Sequence, residues 1–222
     1  MMLPQTDQSL SPAQVRPYVI GDHGGAVLER WPADGEAMPD HFAVLGLPRL
    51  LTQDDAAVEQ KVRGLIRQLH PDRYLRDGPI AVERAQRHTA LVNDAWRVLR
   101  DFERRCQYLI ELAGDRPDEA YKPTTAELAL TLERNEQLDE LQTQLATATQ
   151  DTRRALRSLL GEIEGERVDE RQQLQQAAAL WDTANGEAAG ESAARKRLRA
   201  SLGRLAYLDN LRTRTKALLD RG

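Results

Sequence analysis

The chain has 222 residues, 41% of them hydrophobic, 30% charged and only 5% aromatic, with a formal net charge of -4. The excess of acid excludes a general nucleic-acid binder, whose phosphate contacts need a net basic face, while still allowing a local basic patch. The lone cysteine, Cys106, excludes a disulfide framework or a cysteine-based zinc site within one chain and fits a reducing, cytoplasmic setting. The length suits two small domains, each with its own core. Abundant Leu, Ala, Glu, Gln and Arg, the residues that lose least on entering a helix, predict an all-α protein. No apolar run approaches a membrane span, and the opening MMLPQTDQSL lacks the basic start and apolar core of a secretory signal. Neither a membrane nor a nucleic acid is expected as a partner, and no cofactor or metal is expected.

Residues 1–37 hold Pro4, Pro12, Pro17 and Pro32 with Gly21, Gly24, Gly25 and Gly35 and show no sustained period, so they read as a poorly ordered extension. From residue 38 to 113 the pattern tightens into a first domain. HFAVLGL is a short apolar helix closed by Gly46 and Pro48. TQDDAAVEQKVRGLIRQLH follows as a second helix, with Thr52 as N-cap and Asp54 and Asp55 in the first turn, where the helix dipole favours them. Val58, Val62, Leu65, Ile66 and Leu69 make one apolar face, and Lys61, Arg63 and Arg67 lie off it. A long helix runs from about Pro79 to Arg100 with Ala81, Ala85, Val92, Ala95, Trp96 and Leu99 able to face the second, and RRCQYLIEL ends this domain near Gly114.

The segment GDRPDEAYKP, residues 114–123, reads as a linker. Beyond it, residues 124–222 form three helical stretches, about 124–148, 150–184 and 190–220, broken near Thr149, at Asn185-Gly186 and at Gly190, which together predict a three-helix bundle. Gly161 and Gly165 are expected to bend or fray the middle stretch.

The junction RQLHPDRYL, residues 67–75, places His70, Pro71 and Asp72 between two helices. Catalysis by His70 would need a nucleophile to activate or a metal with further ligands, and no Cys, Ser or carboxylate cluster stands at a recognisable spacing from it. Each residue also has a purely structural use: a His in the last turn meets the dipole, Pro71 stops the helix and Asp72 caps the turn. The residues taken singly do not choose between a helix stop and a presented motif.

The whole arrangement adds more. A short helix, a basic helix, an HPD turn and a long antiparallel helix bearing Asn93-Asp94-Ala95-Trp96 together resemble a J domain of the DnaJ type. The resemblance implies that His70, Pro71 and Asp72, with the basic residues Lys61, Arg63, Arg67 and Arg73, engage a DnaK-type chaperone and trigger its ATP hydrolysis. The Gly/Phe-rich segment and cysteine-rich repeats of general DnaJ proteins are absent. HFAVLGLP at the start, WRVLRDFERRCQYLIEL, ELALTLERNEQLDEL and LAYLDNLR, in that order, instead resemble the HscB family, J-type co-chaperones of iron-sulfur cluster assembly. That implies a non-enzymatic adaptor that presents an IscU-type scaffold to an HscA-type chaperone.

Helical arithmetic bears on the second domain. Leu130, Leu138, Leu141 and Leu145 fall in one arc and are expected to be the bundle stripe, with Leu128 and Leu132 pointing roughly 140° from its centre. Tyr207 stands about 160° from Leu205 on the last helix. In the resembled family, positions matching Leu128, Ala129, Leu132 and Tyr207 dock the scaffold, with acidic positions matching Glu133, Glu136 and Glu140 alongside. Ala129 is smaller than a contact residue there would be. The residues alone also allow packing between the two domains at this face, and a solvated row of carboxylates. A J protein serving another client, or a helical protein with an incidental HPD, are the remaining alternatives.

Overall fold

The computed structural model describes residues 38–114, 121–145, 150–184 and 187–221. These form seven α-helices and one 3-10 turn, with no strand among the described residues, in keeping with the all-α expectation. The expected extension over residues 1–37, most of the linker, and the breaks at Thr149 and Asn185-Gly186 lie outside the described residues. Contacts divide the chain into two compact units: residues up to Ala113 with Trp181–Glu191, and Gly114–Leu180 with Ser192–Gly222.

In the first unit, helix α1 (His41–Leu45) buries Phe42, Ala43, Val44 and Leu45, so nearly every residue of this short helix is core. Asp40 caps it, accepting from the Ala43 N–H at 2.9 Å, and the same carboxylate takes the Arg49 guanidinium at 2.5 Å. Gly46 ends it at φ 60°, a conformation that costs an L-residue energy.

Helix α2 (Asp55–Gln68) is capped by Asp54, whose Oδ1 accepts from the N–H groups of Ala56 and Ala57, and not by Thr52 as expected. Thr52 is drawn elsewhere: its N–H and hydroxyl, with the N–H of Leu51, all donate to the carboxylate of Asp182, 130 residues away in sequence. Val58, Val62 and Leu69 are buried, while Leu65 and Ile66 are only half-buried. Helix α3 (Pro79–Leu99) starts with proline at its first position, where the missing N–H costs nothing, and buries Ala85, His88, Val92, Ala95 and Leu99. Helix α4 (Phe102–Leu112), capped by Asp101, buries Cys106, Leu109 and Ile110. Arg105 is buried there too, donating to Asp55 and to the Leu99 carbonyl at 2.9 Å each, which ties the start of α2 to the α3–α4 corner.

The second unit is a bundle of helices α5 (Thr125–Leu145), α6 (Gln150–Ala184) and α7 (Ala188–Arg221), the last two within the limits of the unit given above. Leu138, Leu141, Leu156, Leu159, Ile163, Leu208, Leu211 and Leu218 form its core cluster, with Leu145 and Tyr207 packed against it. Each fully buried leucine contributes about 2 kcal/mol. Leu130 departs from expectation: it is 48% exposed. At its level the inner face of α5 is polar, with Glu127, Thr131 and Arg134 bonded to α6 and α7, so the apolar stripe starts only at Leu138. Helix α6 runs unbroken past Gly161 and Gly165, and α7 begins at Ala188, with Gly190 inside its first turn.

Candidate functional site

The HPD residues stand at the start of a 3-10 turn, Pro71–Tyr74, that leads out of α2. Pro71 occupies its first position, where its ring presets φ at the helical value. The Nδ1 of His70 accepts from the N–H of Asp72 at 3.3 Å, which assigns the proton of the neutral ring to Nε2. The Asp72 carboxylate Oδ2 lies 3.4 Å from the same nitrogen. Both side chains face solvent, His70 being 54% and Asp72 77% exposed.

What lies beneath the turn is buried and hydrogen-bonded. Leu69 is fully buried, and its carbonyl accepts from the Thr89 hydroxyl of α3 at 3.0 Å. Tyr74 is buried, and its hydroxyl donates to the Gln68 carbonyl at 3.1 Å, while the Arg73 N–H donates to the His70 carbonyl. Two carbonyls at the end of α2 are therefore satisfied by side chains, which holds the turn from both sides. Tyr74 and Thr89 were not among the expected site residues. Their partners are backbone carbonyls 6 and 20 residues away, which leave no side-chain pattern to read.

The basic residues do not all serve alike. Arg63 and Arg67 are exposed one turn apart on α2; Arg63 pairs with Glu59 at 2.5 Å, and Arg67 lies beside the HPD turn. Arg73 is exposed within the turn itself. Lys61 instead reaches back to the Gly46 carbonyl at 2.6 Å and closes the end of α1.

On the bundle, Leu128 is 53% and Leu132 61% exposed. Ala129, Glu133, Glu136 and Glu140 are exposed as well, and the six share one arc of about 140° on α5, apolar toward its start and acidic along its length. Tyr207 is half-buried. Its ring packs on the core cluster and its hydroxyl donates to the Thr131 carbonyl at 3.4 Å, so it joins α7 to α5 while showing an edge to solvent. Among the described residues no group of three or more His, Cys, Asp or Glu is arranged to hold a metal ion, and no helix is long and apolar enough to cross a membrane.

Comparison with known proteins bears on the fold and the family. No family model matches the chain. A co-chaperone protein HscB homolog of Bordetella petrii is 34% identical over 143 residues, which take in 60% of this chain and 83% of that protein. The HscB homolog of Cupriavidus taiwanensis is 29% identical over 182 residues, 82% of this chain and 94% of that one. Among solved structures, chaperone HscB from Vibrio cholerae superposes with a TM-score of 0.55 over 82% of this chain and 99% of its own, at 20% identity. The human co-chaperone protein HscB gives 0.53 over 82% and 83%, also at 20% identity. The two structures speak for the fold, and the Bordetella relative, one-third identical across most of its length, speaks for descent: the chain belongs to the HscB family of co-chaperones.

Proposed function

We propose that this protein is a cytoplasmic, non-enzymatic adaptor of iron-sulfur cluster assembly, which binds an IscU-type scaffold through its bundle and hands it to an HscA-type, DnaK-like chaperone whose ATPase it stimulates. The observation that carries the reading is the HPD turn: a His and an Asp exposed side by side on a backbone that Pro71, Tyr74 and Thr89 leave little freedom. Groups held in this way lose little entropy on binding, and the arginines beside them favour an acidic partner. Chaperone engagement is assigned to His70, Pro71 and Asp72 with Arg63, Arg67 and Arg73; Lys61 contributes charge from a side chain already bonded to Gly46.

Client binding is assigned to Leu128, Leu132 and Tyr207, with Ala129 a minor contributor and Glu133, Glu136 and Glu140 steering a basic rim. Holding client and chaperone on one chain raises the local concentration of one at the other, which is the adaptor's contribution. The test is the single-turnover ATPase rate of an HscA-type chaperone with the full chain, with and without scaffold, and with His70→Gln. Stimulation that grows with scaffold and disappears in the variant is expected. A variant that stimulates like the parent returns HPD to a helix stop, and stimulation indifferent to scaffold moves the client elsewhere.

A further inference from the structure

The part of α5 that carries Leu128, Ala129 and Leu132 has an unusual attachment. The described buried residues of this helix are Leu138 and Leu141, so residues 125–137 place no side chain fully in the core. What fixes that half is a set of polar contacts to the other two helices. The Tyr207 hydroxyl meets the Thr131 carbonyl, Arg134 pairs with Glu166, and Arg214 donates to Asn135 and Asp139. At the first turn, beside Leu128, the contact runs through Arg204.

Glu127 and Thr124 form a reciprocal capping pair: the Thr124 N–H and hydroxyl donate to Glu127 Oε2 at 2.7 and 2.8 Å, and the Glu127 N–H donates to Thr124 Oγ1 at 3.3 Å. The other oxygen, Oε1, accepts from Arg204 Nη1 at 3.2 Å. Arg204 also clamps Glu170 of α6 with two parallel bonds, at 2.7 and 2.9 Å. One guanidinium therefore joins α5, α6 and α7 at one level, and the geometry is the bidentate one that only arginine supplies. The Tyr121 hydroxyl nearby, the bonds from Thr124 and the Arg204 guanidinium hold the Glu127 carboxyl down at about 2. Tyr121 covers this junction from above. Its ring lies so close to Gly203 that a Cβ there would stand 2.1 Å from Cδ1, a distance no packed side chain tolerates.

We propose that Arg204 is a positioning residue for the client surface: by clamping Glu127 and Glu170 it sets where Leu128 and Leu132 stand relative to Tyr207, three residues further along its own helix. The inference rests on the client reading above. A shallow apolar patch binds only while its parts keep their spacing, and here the spacing is set by hydrogen bonds that have direction and length, without a core beneath to do so.

The test is isothermal titration of an IscU-type scaffold into the full chain, below the melting temperature of every variant. Arg204→Met keeps the apolar stem and removes the fork. Its dissociation constant is expected to rise about 10-fold, with Arg204→Lys intermediate because one bond survives. Chaperone ATPase stimulation measured without scaffold, which uses the HPD turn, is expected to stay at the parent's value. Glu170→Gln, which weakens the other arm of the same clamp and touches none of Leu128, Leu132 and Tyr207, should weaken binding in the same direction and carries the test if Arg204→Met does not fold. A lower melting temperature with an unchanged dissociation constant in both variants would reduce Arg204 to a structural role and overturn the proposal. Leu132→Ala with Tyr207→Ala in parallel separates the two levels: unchanged affinity there overturns the client reading itself, and the positioning role with it.

Discussion

The Thr89 hydroxyl does two things for the HPD turn at the cost of one methyl-sized group. It satisfies the Leu69 carbonyl, whose helical donor, the Arg73 N–H, turns to the His70 carbonyl instead, and it pins the residue directly before His70 to α3. Thr89→Val keeps shape and volume and removes only the donor, so a carbonyl on a fully buried residue loses its partner. The expected loss is about 1 kcal/mol, read as a lower urea midpoint with unchanged slope. Chaperone stimulation should fall several-fold at a concentration where the variant is fully folded, since His70 would then sample more orientations before binding. If stimulation is unchanged while stability falls, the turn is rigid for reasons other than Thr89.

At the scale of the element, most helices were legible because apolar residues recur at helical spacing with turn residues between, as in the α1 run HFAVLG and the Val58, Val62 and Leu69 face of α2. Local rules make Thr52 an N-cap and Leu130 a stripe position, and long-range polar contacts decide both otherwise. Asp182 takes Thr52, leaving Asp54 to cap α2, and the Arg134, Thr131 and Glu127 contacts make the inner face of early α5 polar, so Leu130 turns outward. No periodicity exposes a bond across 130 residues. Asp182 is a strong test of this, because a single carboxylate accepts three hydrogen bonds from Leu51 and Thr52. Asp182→Asn keeps the shape but faces an amide N–H₂ toward donors, so at least one bond becomes a repulsion. A loss of about 2 kcal/mol is expected from the denaturation midpoint, with faster amide exchange at Leu51 and Thr52. Slow exchange at both positions would show that the loop before α2 is held without it.

For the molecule as a whole, the carboxylates of an acidic chain set the response to acid. Among the described residues, Glu127 and Glu164 are carboxylates held below their ordinary range: Glu127, at about 2, by the nearby Tyr121 hydroxyl, the Thr124 bonds and Arg204, and Glu164 by Arg212 first and Lys216 after it. Both lie in the bundle. A carboxyl that holds its proton less tightly when folded favours the folded state wherever it is ionised. Its contribution is complete above the unfolded value, roughly pH 4.5, and is lost as pH falls toward the folded one. The bundle should therefore lose stability from about pH 5 down to about pH 2, while between pH 6 and 8 these groups add no slope. Glu127→Gln isolates one of them: its amide oxygen can still accept from Thr124, but the charge facing Arg204 is gone. The variant is expected to be less stable than the parent at pH 7, with the gap narrowing as pH falls and closing near pH 2, in urea midpoints followed by helical circular dichroism. A gap that stays constant from pH 7 to pH 2 would mean that Glu127 acts through hydrogen bonding alone and that Arg204 gains nothing from its charge.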